Sequence, residues 1–221
     1  MPIHSIKVIG AAGRVGAAVS ARLKARGIRL DVDSPDLVLL CVPDGAIRDV
    51  ARATSDHGWI AHVSGATPLS ALDPHTRRFG LHPLQTFTHA RGPEQLDGAW
   101  GAVTAETDEA RQHAVALAEL LGLRPFFIAD CDRTVYHAGA VIASNYLVTL
   151  YQSAARLFGE AGAPPEALVP LMRRTIENGF ELTGPIARGD WTTVDAHLAE
   201  LERRAPDLLP MYRALAGATT R

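Results

Sequence analysis

The distance between a glycine turn and the strand that follows it is the strictest limit on how this chain can fold. Val8–Gly16, VIGAAGRVG, reads as the end of a strand, a glycine turn and the start of a helix. The helix continues to about Arg26, and Gly27 ends it. Asp36–Asp44, DLVLLCVPD, then reads as a buried strand leading into another helix. Only the eight residues Ile28–Pro35 lie between them. If Ile28–Asp33 were a second parallel strand, the chain would finish at the top of the sheet with Ser34–Asp36 to return to the bottom. A parallel connection takes about a dozen residues or more. Ile28–Pro35 therefore reads as a bare connection, with Leu37–Val42 beside the first strand. The half of a dinucleotide fold that supports adenosine is lost or vestigial. A short antiparallel hairpin through Ser34-Pro35 is the other arrangement the spacing allows.

The rest of the first part alternates strands and helices. Ile3–Ile9, Leu37–Val42, Trp59–Val63, Phe79–Leu81, Trp100–Thr104 and Pro125–Ile128 read as strands. Arg14–Arg26 and Thr107–Gly122 read as helices, the second with Thr107 as N-cap and Gly122 past its end. From Asp132 the pattern is helical: Val135–Ala161 as one long helix, then Pro164 to about Asn178, Asp190–Arg204 and Pro206–Leu215. The predicted fold class is α/β, a truncated doubly wound and mainly parallel sheet followed by an all-helical C-terminal domain. The predicted domains are residues 1–130 and 131–221.

Composition removes several function classes. The 221 residues carry a net charge of −2 and no basic stripe, which argues against nucleic acid as a partner. No apolar run approaches the roughly 18 residues of a membrane span. The first residues read directly into a strand rather than a secretion signal. Two cysteines, Cys41 and Cys131, form no disulfide framework, and the expected location is the cytoplasm. Nine histidines show no metal-ligand spacing, so no metal site is expected.

Gly10, Gly13 and Gly16 form GxxGxxG, with Arg14 and Val15 opening the helix. Such a turn lets a phosphate approach backbone amides at a helix N-terminus, with Val42 and Pro43 at the end of the neighbouring strand. The same glycines also suit a turn kept for packing alone. A dinucleotide fold places an acidic residue about 20 positions on. Asp31 and Asp33 stand there, but the topology argues against that use.

Other candidates end strands or lie on helices. Ser64 and Gly65 end the strand at Trp59–Val63, where ligands gather in doubly wound sheets or where a strand merely turns. His82, Pro83, Gln85 and Thr86 follow Phe79–Leu81. Pro83 holds His82 extended, and its imidazole either handles a proton or is satisfied by nearby backbone. His137 and Asn145 share the long helix, about 80° apart and roughly 12 Å along its axis. Asn145 is a candidate substrate contact or an interhelical one, and His137 a candidate acid or a surface histidine. Arg188, in the Thr183–Arg188 connection, could bind a substrate anion, and Asp190 would cap the next helix.

LVLLCVPDGAI, HVSGATPLSAL, FGLHPLQTF, YHAGAVIASNYLVTLY and LTGPIARGD together resemble the Rossmann-like proteins that carry DUF2520. That family lies in the 6-phosphogluconate dehydrogenase-like superfamily, near ketopantoate reductase and pyrroline-5-carboxylate reductase. The resemblance implies an N-terminal NAD(P)-binding domain, a C-terminal helical domain that forms a homodimer, and an oxidoreductase of unknown substrate. The hydroxyacid dehydrogenases of the superfamily place a lysine four residues before the helical asparagine. Here Val141 stands at that position, so a lysine-based proton relay does not carry over.

The expected function is NAD(P)-dependent oxidation or reduction of a small oxo or imino acid. NADP or NAD would lie over Gly10–Gly16, and the chemistry would fall between Ser64, His82 and Asn145. The alternatives are a non-catalytic dimer that binds a smaller phosphate or carboxylate ligand without the dinucleotide, and a scaffold in which only the helical part matters.

Overall fold

The computed structural model describes residues 3–30, 32–55 and 58–219. Its sheet has six strands in sequence order: β1 Ile6–Ile9, β2 Leu37–Leu40, β3 Trp59–His62, β4 Arg78–Leu84, β5 Trp100–Thr104 and β6 Arg124–Phe127. β1 to β4 pair in parallel, β4 and β5 antiparallel, and β5 and β6 in parallel. Three helices belong with the sheet: α1 Arg14–Ala25, α2 Ile47–Ala53 and α3 Asp108–Leu121. This is the truncated, mainly parallel α/β fold that the sequence predicts.

β2 reads LVLL and is buried on both faces. Alternate residues serve opposite layers, as a period of two requires. Leu37 and Leu39 join Val19 and Leu23 of α1 and Leu117, Ala118 and Leu121 of α3 in one core. Val38 and Leu40 join Ile60, Ile47 and Ala51 of α2, and Leu69 and Leu72, in the other. Thr107 caps α3 by accepting the Ala110 N–H at 3.1 Å, and Gly122 ends it in the left-handed region at φ 81°.

The segment Ile28–Pro35 is close to the predicted bare connection, with one addition. Ser5 and Arg29 form a single parallel bridge. The Ile6 N–H donates to the Arg29 carbonyl (2.9 Å), and the Arg29 N–H to that of His4 (3.2 Å). Leu37 and Cys41 N–H donate instead to Ser5 and Ile9, residues of the other parity, so the Arg29 rung lies on the edge of β1 that faces away from β2. A second strand thus begins, with one rung among the described residues. Asp36 then returns the chain to the foot of β1. Its carboxylate accepts the His4 and Ser5 N–H groups at 2.8 and 2.9 Å, and its own N–H donates to Ser5 Oγ. The parallel sense of the bridge rules out the Ser34-Pro35 hairpin. Asp31 lies outside the described residues, and Asp33 is exposed.

The rung also explains the two-sided packing. Right-handed crossovers that step in opposite directions along a sheet place their helices on opposite faces. α1 steps outward from β1 to the Arg29 rung, and α2 steps inward from β2 to β3. They belong to the two separate cores.

The chain divides into compact units between Ser144 and Asn145. Residues 131–144, which the sequence analysis places in the helical domain, belong to the first unit. The predicted single helix Val135–Ala161 is three elements: α4 Arg133–Val141, a π-helical turn Ile142–Tyr146, and α5 Leu147–Glu160. Ser144 Oγ donates to the Ala140 carbonyl at 2.7 Å inside the widened turn, a back-bond that competes with regular helix pairing.

The second unit continues with α6 Leu168–Glu177, α7 Trp191–Arg204 and α8 Leu209–Thr219. Asp190 caps α7, accepting the Thr193 N–H at 3.1 Å as predicted. Within the unit, Arg156 bridges to Asp207 at 2.6 Å. Among the described residues, no helix is long and apolar enough to cross a membrane.

Candidate functional site

The site is built on one face of the sheet. His62, Gly80 and Thr104 are register partners across β3, β4 and β5, so their side-chain positions form one row. Gly80 leaves a slot in the middle of that row. A methyl built on it would lie 2.8 Å from Arg133 Nη1 and 3.3 Å from His62 Cε1. Arg133, the first residue of α4, fills the slot and is fully buried. Its Nη1 donates to Thr104 Oγ1 at 2.7 Å, and its Nη2 donates to the Ser64 carbonyl.

Two residues beyond Gly80 on the same face stands His82. The predicted strand ends at Leu81; the observed β4 runs to Leu84, because residues 80–84 pair antiparallel with β5. His82 is thus held within a strand opposite Ala102, not in a loop after one.

α4 brings Tyr136 and His137 to it. Residues 133, 136 and 137 share one helix face by their i, i+3 and i+4 spacing, so an anchored Arg133 sets where the other two point. His82 Nδ1 and the Tyr136 hydroxyl are 2.7 Å apart. The His82 and His137 rings meet edge to face with centroids 5.9 Å apart, and Phe126 supports the other side of Tyr136 at 5.9 Å.

Gly65 is glycine because of these rings. A methyl there would lie 2.5 Å from His137 Cδ2 and 3.1 Å from His82 Cε1 and Nε2. The Nε2 edge of His82 therefore faces bare backbone at the C-terminal end of β3.

The electrostatics favour neutral rings. Burial, then the neighbouring His137 and Arg133, push His82 down to about 4, with Asp44 opposing. Burial and the Arg133 charge push His62 down to about 3. Burial raises the Tyr136 phenol to about 12. Near neutral pH both histidines are uncharged and Tyr136 keeps its proton. The phenol can then donate to His82 Nδ1, which places the ring proton on Nε2.

The glycine turn lies at the ends of β1 and β2. Gly10 has φ 89°, and a methyl there would collide with the Cys41 carbonyl and approach Val42 Cγ1 at 3.2 Å. A methyl on Gly16 would collide with the Gly10 carbonyl. Packing thus accounts for both residues. Gly13 is the N-cap of α1, and no side chain caps the helix there. The first-turn amides, with Arg14 and Val15, are left to a ligand or to water. Cys41 keeps its proton, since burial pushes its thiol up to about 12.

The other predicted residues divide. Ser64 is spent on its own turn: its Oγ accepts the Ala66 and Thr67 N–H groups and donates to Thr67 Oγ1 at 2.9 Å. What Ser64 gives the site is its carbonyl. Pro83 is a strand residue, and Pro43 opens the short turn before α2. Gln85 and Thr86 are exposed and bonded to each other. Asn145 and Arg188 belong to the second unit, both exposed. Asn145 lies within the π turn Ile142–Tyr146, whose wider pitch changes the helical phase, so the 80° count from His137 does not hold. Sequence reasoning missed Arg133, Tyr136, His62 and Thr104. The only signal for Arg133 and Tyr136 was their spacing from His137. Among the described residues, no group of three or more His, Cys, Asp or Glu is placed to hold a metal.

Residues 99–219 match DUF2520, a domain of unknown function. The chain belongs to the DUF2520 family. Its fold is similar to that of a candidate NADP oxidoreductase from Bacteroides fragilis, at 20% identity and TM-score 0.82 over 99% of this chain and 98% of that one. A Thermotoga maritima protein matches at 22% identity and TM-score 0.71, over 98% and 100%. A 1-pyrroline-5-carboxylate reductase from Streptococcus pyogenes matches at 16% and 0.62, over 98% and 96%. No curated protein matches by sequence. At these identities the likeness shows the fold: Rossmann-like, of the kind seen in NAD(P) oxidoreductases, followed by helices. The DUF2520 match includes Arg133, Tyr136, His137, Asn145 and Arg188, and leaves the glycine turn, Gly65 and His82 outside it.

Proposed function

We propose that this DUF2520 protein is an NAD(P)-linked oxidoreductase acting on a small oxo or imino acid. The observation that carries the reading is the His82–Tyr136 pair, with Nε2 facing the bare backbone of Gly65. It lies at the C-terminal strand ends of the sheet, where doubly wound folds bind ligands.

The residues present fit part of a dinucleotide. Gly13, Arg14 and Val15 would hold its pyrophosphate against the uncapped start of α1, where no acidic side chain opposes it. On the adenosine side the support among the described residues is one rung at Arg29. A bound nicotinamide would supply the hydride. His82 would hold a proton at Nε2 toward the substrate oxygen or nitrogen, with Tyr136 fixing the tautomer through Nδ1. Gly65 would let the substrate reach that edge. Gln85, Thr86, Asn145 and Arg188 are candidates for substrate contact, and His137 for proton exchange.

Titrating the protein into NADPH or NADH and following cofactor fluorescence tests this. Quenching or a spectral shift at micromolar to millimolar concentration supports it, and no change at millimolar cofactor rejects it. A second reading has its own observation: β1 is the edge strand of the six-stranded sheet. The protein would then take a smaller phosphate or carboxylate without a dinucleotide. Thermal shift by pyrophosphate or small oxo acids, without one by NAD(P), favours that reading.

We further propose a cytoplasmic homodimer formed through the helical unit. No residue of α5 is buried, and Leu147, Val148, Val169, Leu171, Phe180 and Leu182 are exposed. Sedimentation at micromolar concentration should give twice the chain mass; a monomer rejects it.

A further inference from the structure

We propose that Arg133 is the positioning residue of this site: buried over the His62–Gly80–Thr104 row with no carboxylate in contact with it among the described residues, it clamps the Ser64–Gly65 turn and sets its charge against a second positive charge on His82. A guanidinium out of water is costly unless a carboxylate pairs with it. Arg133 is fully buried, and among the described residues no carboxylate lies within ion-pair distance of it; Asp130 and Asp44 favour its charge from farther away. Among the described residues its Nε has no hydrogen-bond partner, nor does either ring nitrogen of His62 beside it. A side chain kept only for packing would be better served by a methionine of similar length. The cation stays where its charge and its planar donors both act.

The donors hold the site together. One terminal nitrogen takes the Thr104 hydroxyl on β5, and the other takes the Ser64 carbonyl just before Gly65. The same side chain begins α4, so it fixes Tyr136 and His137 one turn later. The charge acts on His82 together with the groups that face it: Tyr136 and His137 from α4, His62 from β3 and Asp44 after β2. Of these, Asp44 favours a charged ring, and Arg133 and His137 oppose it.

The inference rests on the proposed function only in giving His82 a proton to hold. Its test uses protein without ligand, so that the two can fail separately. Ring-resolved NMR titration of the full chain should show wild-type His82 still neutral at pH 5.5. Arg133→Met should raise its midpoint by about one unit, a tenfold increase in protonation at a given pH. Arg133→Lys, which keeps the charge, should leave the midpoint below that of a free histidine. A folded Arg133→Met variant with the wild-type midpoint overturns the proposal. So does a wild-type midpoint near 6.5, which needs no variant to fold. So does an Arg133→Lys midpoint equal to that of a free histidine.

Discussion

The Tyr136 hydroxyl lies 2.7 Å from His82 Nδ1, joining residues 54 apart in sequence. One comes from the strand that switches the sheet from parallel to antiparallel pairing, the other from the helix that leaves the sheet. The pair fixes which nitrogen of His82 carries its proton, and Tyr136→Phe removes that control. We expect a stability loss of about 1 kcal/mol, as for one hydrogen bond. If the protein turns over, the rate should fall roughly 10- to 100-fold, the range of a misaligned general acid. Urea denaturation and single-turnover rates would check these two effects separately.

Gly65→Ala should damage the site more than the fold. The added methyl meets two imidazoles, His137 and His82, and not the strand core. Overpacking of this kind costs about 1–3 kcal/mol. The expected result is a folded protein whose His82 and His137 ring resonances shift and whose ligand affinity falls at least tenfold. Unchanged ring shifts would show that the rings do not meet over Gly65.

Stability should fall as the solution is acidified through the histidine range. The folded values of His62 and His82, about 3 and about 4, lie below the ordinary value of about 6.5. Between these limits the unfolded chain binds more protons, so stability is full above about pH 7 and is lost as pH drops. At pH 5 each ring contributes a loss of about 2 kcal/mol. Urea midpoints at pH 5, 6 and 8 would reveal the slope, and His62→Leu should roughly halve it.

Gly13→Asp separates packing from anion binding at the glycine turn. The residue is an N-cap in extended geometry, with φ −72° and ψ 163°, and α1 has no side-chain cap. An aspartate there should cap the helix, a gain over glycine of about 0.3 kcal/mol, offset in part by its methylene 3.3 Å from the Gly10 carbonyl. It also places a negative charge where a phosphate would sit. We expect a thermal midpoint close to that of wild type and a dinucleotide affinity at least tenfold weaker. Equal affinity would move the phosphate away from α1.

Much of the architecture was legible because it follows from local rules and chain length. LVLL between polar ends reads as a doubly buried strand, Thr107 and Asp190 as caps, and eight residues as too few for a βαβ excursion. The Arg29 rung was not legible, since a single bridge leaves no periodicity to read. β4 was read too short because a proline and a histidine look like a strand end, and the antiparallel partner that extends it comes 16 residues after its last residue, at Trp100. The candidate site was half visible. His82, Gly65 and His137 have the residue types that chemistry uses. Arg133 does its work by filling a slot that Gly80 opens across the sheet, a relationship held by tertiary register and by no spacing along the chain.

The rung at Arg29 has a consequence for solubility. A strand with one side unpaired is a template on which a stranger's backbone can add itself, the first step toward aggregates. Here the lower end of that margin is occupied by Arg29, which accepts the Ile6 N–H and donates its own to the His4 carbonyl. What survives of the missing half shortens the length of sheet edge left open to another backbone.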